Sequence, residues 1–589
     1  MSLLALAAPI ALPLALAVAL TAPQARALIW RMMPFAPLPA LALALLADLP
    51  AGAQADWLVL GLHLGLDEVS RLFVIFTALL WSAAGASARH WLRADARATS
   101  FGVMFLMAQA GNLGLLLAQD VAGFYAGFAL MSFASYGLVL HSRDMAAQGA
   151  ARLYISFVVL GELALFAGLA LAAVQAGSLL LGDLRAAVLS DMAVALLILG
   201  FGVKLGIMPR HFWLPPAHGA APVPASAVLS GAMIKAGLFG MMAILPLGAV
   251  AYGDHGTVLM AAGMVTIFAA LLIGVQQGNP KAVLGFSSVS QMGILALGLG
   301  AGLMAPAAWA AILPVLVYLA AHHALAKGAL FLGTGAFAAQ TGRAGRLGLA
   351  LALLVPAMVL AGMPASSGGL GKETLKAALV AGSPIWLPWL VVALTLSGVA
   401  TTLLMARYIA LLWLAPPKAP AQITPEALLL PFLALAGAAL ALPRIWPVLA
   451  QDLAAPIGQA APGSIWPLAA GVALASAVAL YAHALRIGPA LFLAHLTAPF
   501  RAFGARADSL LAAKRRAGRR LGHALPKALG ETATRWRLGQ TAIAGLIALV
   551  LLVEMAASLP LSGMAPDTPE PPAFPLIDTP QSSILSPDF

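Results

Sequence analysis

The chain has 589 residues, of which 62% are hydrophobic and only 9% charged, with a formal net charge of +11 and no cysteine. Such a composition excludes a soluble globular domain, and the missing thiols exclude a disulfide framework, a protein-ligated iron–sulfur cluster and thiol catalysis. Mean hydropathy is +0.96. Apolar runs of about 18 or more residues recur from end to end, each long enough to cross a hydrocarbon core of about 30 Å. A β-barrel would show short alternating segments instead. The expected fold class is therefore an all-α polytopic membrane protein.

The first segment, MSLLALAAPIALPLALAVALTAPQARA, has the shape of a signal peptide. Its leading residues carry no positive charge, so it is expected to stay as a first membrane helix. The pattern predicts about 14–16 transmembrane helices. Sixteen centres fall near residues 12, 41, 79, 111, 131, 164, 198, 236, 267, 292, 322, 355, 397, 436, 475 and 551. Arginines and lysines follow the odd-numbered spans: Arg26 and Arg31, then Arg89, Arg93 and Arg97, then Arg143 and Arg152, Arg210, Lys281, Arg343 and Arg346, Arg407 and Lys418, and Arg486. The opposite loops at 49–68, 248–257, 301–307 and 381–385 carry none, with Arg185 and Arg444 as exceptions. The basic excess thus reads as membrane topology, with no nucleic-acid partner. It predicts that odd-numbered helices end in the cytoplasm of a bacterium and that both termini are periplasmic, in the inner membrane.

Residues 499–540 are basic and amphipathic. They are expected to form a lateral segment along the membrane surface or a partner, ahead of a last span at 541–560. The tail at 561–589 is acidic and proline-rich, a composition that favours extended chain.

Ionisable groups near the membrane centre cost at least a few kcal/mol, so each is a functional candidate. The spans contain Glu162 in VVLGELALFAG, Lys204 in GFGVKLGIMP, Lys235 in SGAMIKAGLFG, His322, His323 and Lys327 in LAAHHALAKGALFLGTG, and Lys372, Glu373 and Lys376 in GGLGKETLKAAL. Asp191 and Glu554 lie nearer helix ends, where solvent or snorkelling satisfies them. A buried pair or a snorkelling side chain explains any one of these; four lysines in four apolar helices are harder to explain by packing. Lysine suits proton handling, because desolvation brings its ammonium towards release and a neighbouring carboxylate opposes that release. Histidine titrates near neutrality. His323 and Lys327 are four apart and share a helix face. His322 and His323, being adjacent, point different ways and make a poor metal pair. His211 and His218 follow the first proline-rich break and read as water-path or interfacial groups. Two spans look breakable: GIMPRHFWLPPAHGAAPVPAS, after Lys204, and LAGMPASSGGLGKE, before Lys372. Unwound backbone at membrane depth is tolerated where it is buried or lines a wet cavity.

Four stretches in order, KLGIMPRHFWLPPAHGAAPVPASAVLSGAMIKAG, GNPKAVLGFSSVSQMGIL, HHALAKGALFLGTG and GMPASSGGLGKETL, resemble the signatures of the proton-translocating, antiporter-like membrane subunits. That family includes the large antiporter-like subunits of complex I, Mrp-type sodium/proton antiporter subunits and the membrane arms of group 4 hydrogenases such as formate hydrogenlyase. The resemblance covers roughly residues 60–415. It implies two inverted five-helix repeats, near 102–245 and 257–410, each with one broken helix. The organisation expected is then N-terminal helices at 1–100, repeats within 101–250 and 251–415, further helices at 416–498, and the lateral segment, last helix and tail.

The resemblance also implies roles. Lys204 matches the central lysine of the first repeat and Lys235 a second lysine, while His323 and Lys327 match the connecting axis and Lys372 the outlet lysine. His218, His322 and Glu373 are secondary candidates. Ala129 stands where the family usually has a glutamate, so switching in the first half-channel rests on Glu162. The function implied is proton translocation along buried Lys, His and Glu within a complex I-like or hydrogenase-like respiratory complex, driven by redox events in partner subunits. The alternatives are a Mrp-type Na+/H+ antiporter subunit and a membrane subunit that energises inorganic-carbon uptake. Nothing in the sequence binds a metal, flavin or nicotinamide. Catalytic redox sites, with Fe–S, flavin or Ni–Fe groups, would belong to partner membrane-complex subunits of an NADH–quinone oxidoreductase-like enzyme, and the lipid bilayer is the remaining partner.

Overall fold

A computed structural model describes residues 2–56, 58, 61–382, 385–416, 425–450, 453–458 and 462–484. The expected lateral segment, last span and tail lie outside the described residues.

Helices α1 (Leu3–Ala19), α2 (Arg26–Met32) and α3 (Leu38–Leu46) lead into a two-stranded antiparallel hairpin, β1 (Ala51–Ala55) and β2 (Leu62–Leu66). The hairpin was not expected from a chain read as all-helical. It forms in the loop region at 49–68, where Gly52, Gly61 and Gly65 interrupt the helical pattern. Asp67 then caps α4 (Glu68–Trp91) in a reciprocal box with Ser70. The long apolar helices α5 (Ala98–Leu117), α6 (Val121–Val139) and α7 (Met145–Ala176) follow, then the short α8 (Leu181–Ala186).

Two helices stop among buried residues and restart. The first, α9 (Asp191–Leu205), resumes as α10 (Leu214–Ala220). Next come α11 (Val223–Val228), a π-turn at Leu229–Met233 and α12 (Lys235–Ile244). Then α13 (Gly253–Gly274), α14 (Pro280–Met304) and α15 (Trp309–Ala339) form the buried centre, and every residue of the most apolar α14 window is covered by protein. The second interrupted helix is α16 (Arg343–Ala361), resuming as α17 (Ser367–Gly382). The described chain closes with α18 (Leu387–Leu414), α19 (Pro425–Ala450), α20 (Ala455–Gly458) and α21 (Trp466–Ala484). Among the described residues, 12 helical segments are long and apolar enough to cross a membrane. This is a multi-pass membrane protein.

Both interruptions use one device. Gly206 (φ +77°) ends α9 and Gly362 (φ +98°) ends α16, each in a left-handed conformation that returns its N–H to carbonyls of the last turn. Pro209 then prevents the first helix from continuing, and Pro215 and Pro216 stand in the first turn of α10, where a missing N–H costs nothing.

At the rim, Asp95 in the α4–α5 loop contacts His141 at 3.0 Å. Partial burial pushes the Asp95 carboxyl up. The hydrogen bond to His141 and the Arg97 backbone N–H outweigh it and hold the carboxyl below its usual range. A depressed carboxylate pKa stabilises the fold above its ordinary value of 3.8, and that stabilisation is lost as the pH falls through the lowered value. Asp95→Asn should therefore lower the melting temperature at neutral pH, and the gap from the parent should close as the pH drops below 4; a gap constant with pH would rule this out. Gly206→Ala should cost about 1–2 kcal/mol from the left-handed backbone, read as a lower melting temperature in detergent.

Candidate functional site

The span from α6 to α9 holds the first group of charges. Lys204 lies in the last turn of α9 and donates to the Ser132 hydroxyl of α6 at 2.9 Å. Its ammonium sits 5.4 Å from the centre of the Phe128 ring. Glu162, from α7, faces Lys204 and Ser132 without a closed hydrogen bond to either. Ser132 stands three residues after Ala129 on the same helix face, so α6 presents a hydroxyl one turn beyond the alanine. Tyr154 donates to the Ser132 carbonyl at 2.9 Å and fixes this part of α6 against α7.

The second group is central. The π-turn at Leu229–Met233 precedes Lys235, whose ammonium donates to the Ser230 carbonyl at 2.6 Å and meets Nδ1 of His323 at 2.5 Å. At that distance the two nitrogens are in direct hydrogen-bond contact. Ser230 exchanges a hydrogen bond with Ser288 at 2.7 Å, and Ser288 donates to the Leu284 carbonyl at 3.0 Å. Lys327 donates to that same carbonyl at 2.9 Å. A hydroxyl pair thus ties Lys235 to Lys327 across α14. His218, on α10, stacks on Phe331 at 4.8 Å and has no partner on either ring nitrogen. Lys235, Lys327 and Lys281 are the charges around it.

The third group surrounds the second interruption. His322 meets the Ser367 hydroxyl at 2.9 Å, and Ser367 donates to the Ala439 carbonyl of α19 at 2.8 Å. Lys372 donates to the Ala361 carbonyl, the last residue of α16, at 3.2 Å. A cation is thereby placed at the negative end of that helix.

Glu162, Lys204, His218, Lys235, His322, His323, Lys327 and Lys372 are each no more than 5% exposed. The structure puts all of them inside protein and none towards lipid. His322 and His323 diverge, one to Ser367 and the other to Lys235. Glu373 instead pairs with Lys376 at 2.9 Å, half-buried on a different face from Lys372. Asp191 is exposed beside His255, and Glu554 lies outside the described residues. Among the described residues no direct hydrogen bond joins one group to the next, and none of them cluster as a metal site. Sequence reasoning missed Ser132, Ser230, Ser288 and Ser367; the only signal was hydroxyls inside apolar spans, as in GFSSVSQ.

Two cavities open beside α10. One of about 550 Å³ is lined by His211, Phe212, Pro215 and Phe286. The other, about 490 Å³, is lined by Asp95, His141, Asn279, Lys281 and Thr334. Lys281 reaches from it to the Ala221 carbonyl at the end of α10.

Comparison with known proteins agrees with the motifs. Residues 118–398 match the transmembrane family NADH:quinone oxidoreductase/Mrp antiporter. Hydrogenase-4 component B of Escherichia coli (strain K12) is 31% identical over 47% of this chain and 43% of its own length. Na(+)/H(+) antiporter subunit A1 of Staphylococcus haemolyticus (strain JCSC1435) is 31% identical over 54% and 42%. Formate hydrogenlyase subunit 3 of E. coli (strain K12) is 31% identical over 38% and 40%. The chain spans less than half the length of these curated relatives. Among solved structures, the Mrp complex from Dietzia sp. DQ12-45-1b superposes with a TM-score of 0.66 at 22% identity, covering 78% of this chain and 98% of its counterpart. An archaeal respiratory membrane complex, the membrane-bound sulfane sulfur reductase, gives 0.64 at 19% identity, with 80% and 99% covered. Those two likenesses show the fold, and the chain resembles the antiporter-like subunit family in sequence as well.

Proposed function

We propose that this chain is the proton-translocating subunit of a multi-subunit membrane complex of the complex I or hydrogenase type. The observation that carries the reading is the direct contact of two buried basic nitrogens, those of Lys235 and His323, which would share one proton. A second proton arriving at either nitrogen expels the first, because two like charges at hydrogen-bond distance in low dielectric repel strongly. The expelled proton has an acceptor one helical turn away in Lys327 when that lysine is neutral.

Lys204 loads from one side, with Glu162 stabilising its charged form and Ser132 holding the amino group. Lys235, His323 and Lys327 pass the proton laterally. His322 and Lys372, at the second interruption, receive it for release. The driving force comes from partner subunits that carry the redox groups; this chain supplies the titrating side chains. The distribution of basic loops supports an orientation with both termini in the periplasm, and the reading takes the inlet to be on the cytoplasmic side. A second reading, sodium/proton exchange, is favoured by the likeness to the Na(+)/H(+) antiporter subunit. Sodium-dependent flux in vesicles holding the full complex would select it.

Lys327→Ala should abolish coupled proton translocation, measured as acidification of vesicles, while the complex still purifies intact; unchanged pumping would rule out the axis. Glu162→Gln should slow pumping by at least about tenfold, the effect of losing one charge a few ångströms from a titrating lysine. Adding Ala129→Glu to Glu162→Gln should restore flux, and failure of both to change it would remove Glu162 from the path.

A further inference from the structure

Beyond the third group, a row of buried polar atoms continues along α19 and ends at the surface. His322 keeps Nε2 without a partner. One turn earlier on α15, Tyr318 is fully buried, and its hydroxyl has no partner. The Tyr318 ring meets Trp446 of α19 edge-on at 5.0 Å, and the Trp446 indole N–H is also unpartnered and buried. One turn further along α19, the Leu449 carbonyl accepts from Arg71 of α4 at 2.8 Å. Arg71 sits one turn inside the exposed cap Asp67. From Ala439, held by Ser367, to Leu449 is ten residues, or about 15 Å of helix, half the thickness of a hydrocarbon core.

A buried hydroxyl, imidazole and indole left unpaired in low dielectric cost several kcal/mol together unless water satisfies them. Tyrosine and histidine can both donate and accept, whereas the indole N–H only donates. It therefore binds a water oxygen and is a poor ligand for a metal cation. We propose that the seam between α15, α19 and the start of α4 is a water-filled outlet, through which a proton released near His322 and Lys372 reaches the surface at Arg71 and Asp67. The inference rests on the transport reading above and assigns its outlet. Tyr318 and Trp446 hold the water chain, and Arg71 keeps its mouth hydrated.

The chain has no cysteine, so single introduced thiols report water access without background. Ala439→Cys, Leu442→Cys and Ala450→Cys fall on the buried stripe of α19, and Leu433→Cys and Val448→Cys on its exposed, lipid-facing stripe. In vesicles holding the full complex, methanethiosulfonate ethylammonium added at the Asp67 face should modify the first three and spare Leu433→Cys. Val448→Cys, near the helix end, marks the reach of reagent at the interface. Tyr318→Phe and Trp446→Phe, the first keeping its ring and losing only the hydroxyl, the second keeping an aromatic face and losing the N–H with part of the indole, should each slow pumping by roughly tenfold, the loss of about one hydrogen bond to water. Labelling of the buried stripe no faster than Leu433→Cys would overturn the outlet. So would unchanged flux in both aromatic variants while Lys327→Ala stops pumping. If Lys327→Ala also pumps normally, the transport reading fails, and labelling of the buried stripe still decides whether the seam is wet.

Discussion

One contact organises the centre of this protein: an amine and an imidazole within 2.5 Å, both sealed from solvent. In water such a pair would separate and both would ionise independently. Inside the bundle the two nitrogens are held against each other, and the surrounding backbone supplies a fixed acceptor beside them. The Ser230 carbonyl takes a second hydrogen of Lys235, and the wide turn at Leu229–Met233 is what turns that carbonyl towards the side chain. π-turns of this kind recur at functional sites because they redirect backbone groups without ending the helix. The Ser230–Ser288 pair then connects the same turn to the carbonyl that holds Lys327.

The two interruptions solve a related problem. A helix that stops inside the membrane exposes its last carbonyls, which are costly to leave bare and carry the negative end of the dipole. At the first stop Lys204 occupies the final turn of α9, and at the second the Lys372 ammonium lies on the last carbonyl residue of α16. Each break therefore offers its lysine a stabilising negative pole, but the two ends are satisfied differently: Lys372 bonds the Ala361 carbonyl directly, whereas at α9 the Val203 carbonyl accepts from the Trp213 indole and Lys204 turns to Ser132.

Much of this was legible in the sequence. Span positions followed from hydropathy because length and apolarity are additive along a chain. Lys204, Lys235, Lys327 and Lys372 stood out because a charge in an apolar run has no cheap structural explanation. The two breaks were visible as glycine and proline clusters. The hairpin at 51–66 was not, since its short strands carry little alternation and its packing depends on Gln119 and Asp120 from a distant loop, through the His63 backbone. The bridging serines were also hidden. A hydroxyl in a membrane helix usually bonds back to its own chain, as Thr374 and Thr395 do, and only the fold shows that Ser132 meets Lys204 and that Ser288, besides its bond to Leu284, meets Ser230. Glu373, a secondary candidate beside Lys372 in sequence, turns its carboxylate to Lys376, because adjacent helical residues diverge by about 100°.

The missing carboxylate at Ala129 bears on how the first half works. A glutamate on α6 would move with α6, and sliding that helix against α9 would open or close its pair with Lys204. Glu162 sits instead on α7, beside Gly161, and α7 is packed backbone to backbone on α9: a Cβ at Gly200 would lie 2.8 Å from the Gly161 carbonyl oxygen. Helices in such contact shift as one body, so the acid and the lysine backbones keep a fixed separation. Any switching must then come from the side chain of Lys204, which has four rotatable bonds and two alternative partners, the Ser132 hydroxyl on α6 and the Glu162 carboxylate on α7. Tyr154 of α7 also holds the Ser132 carbonyl, so the hydroxyl and the carboxylate are both anchored to α7. In this arrangement the two partners are fixed and the lysine side chain is the part free to turn between them.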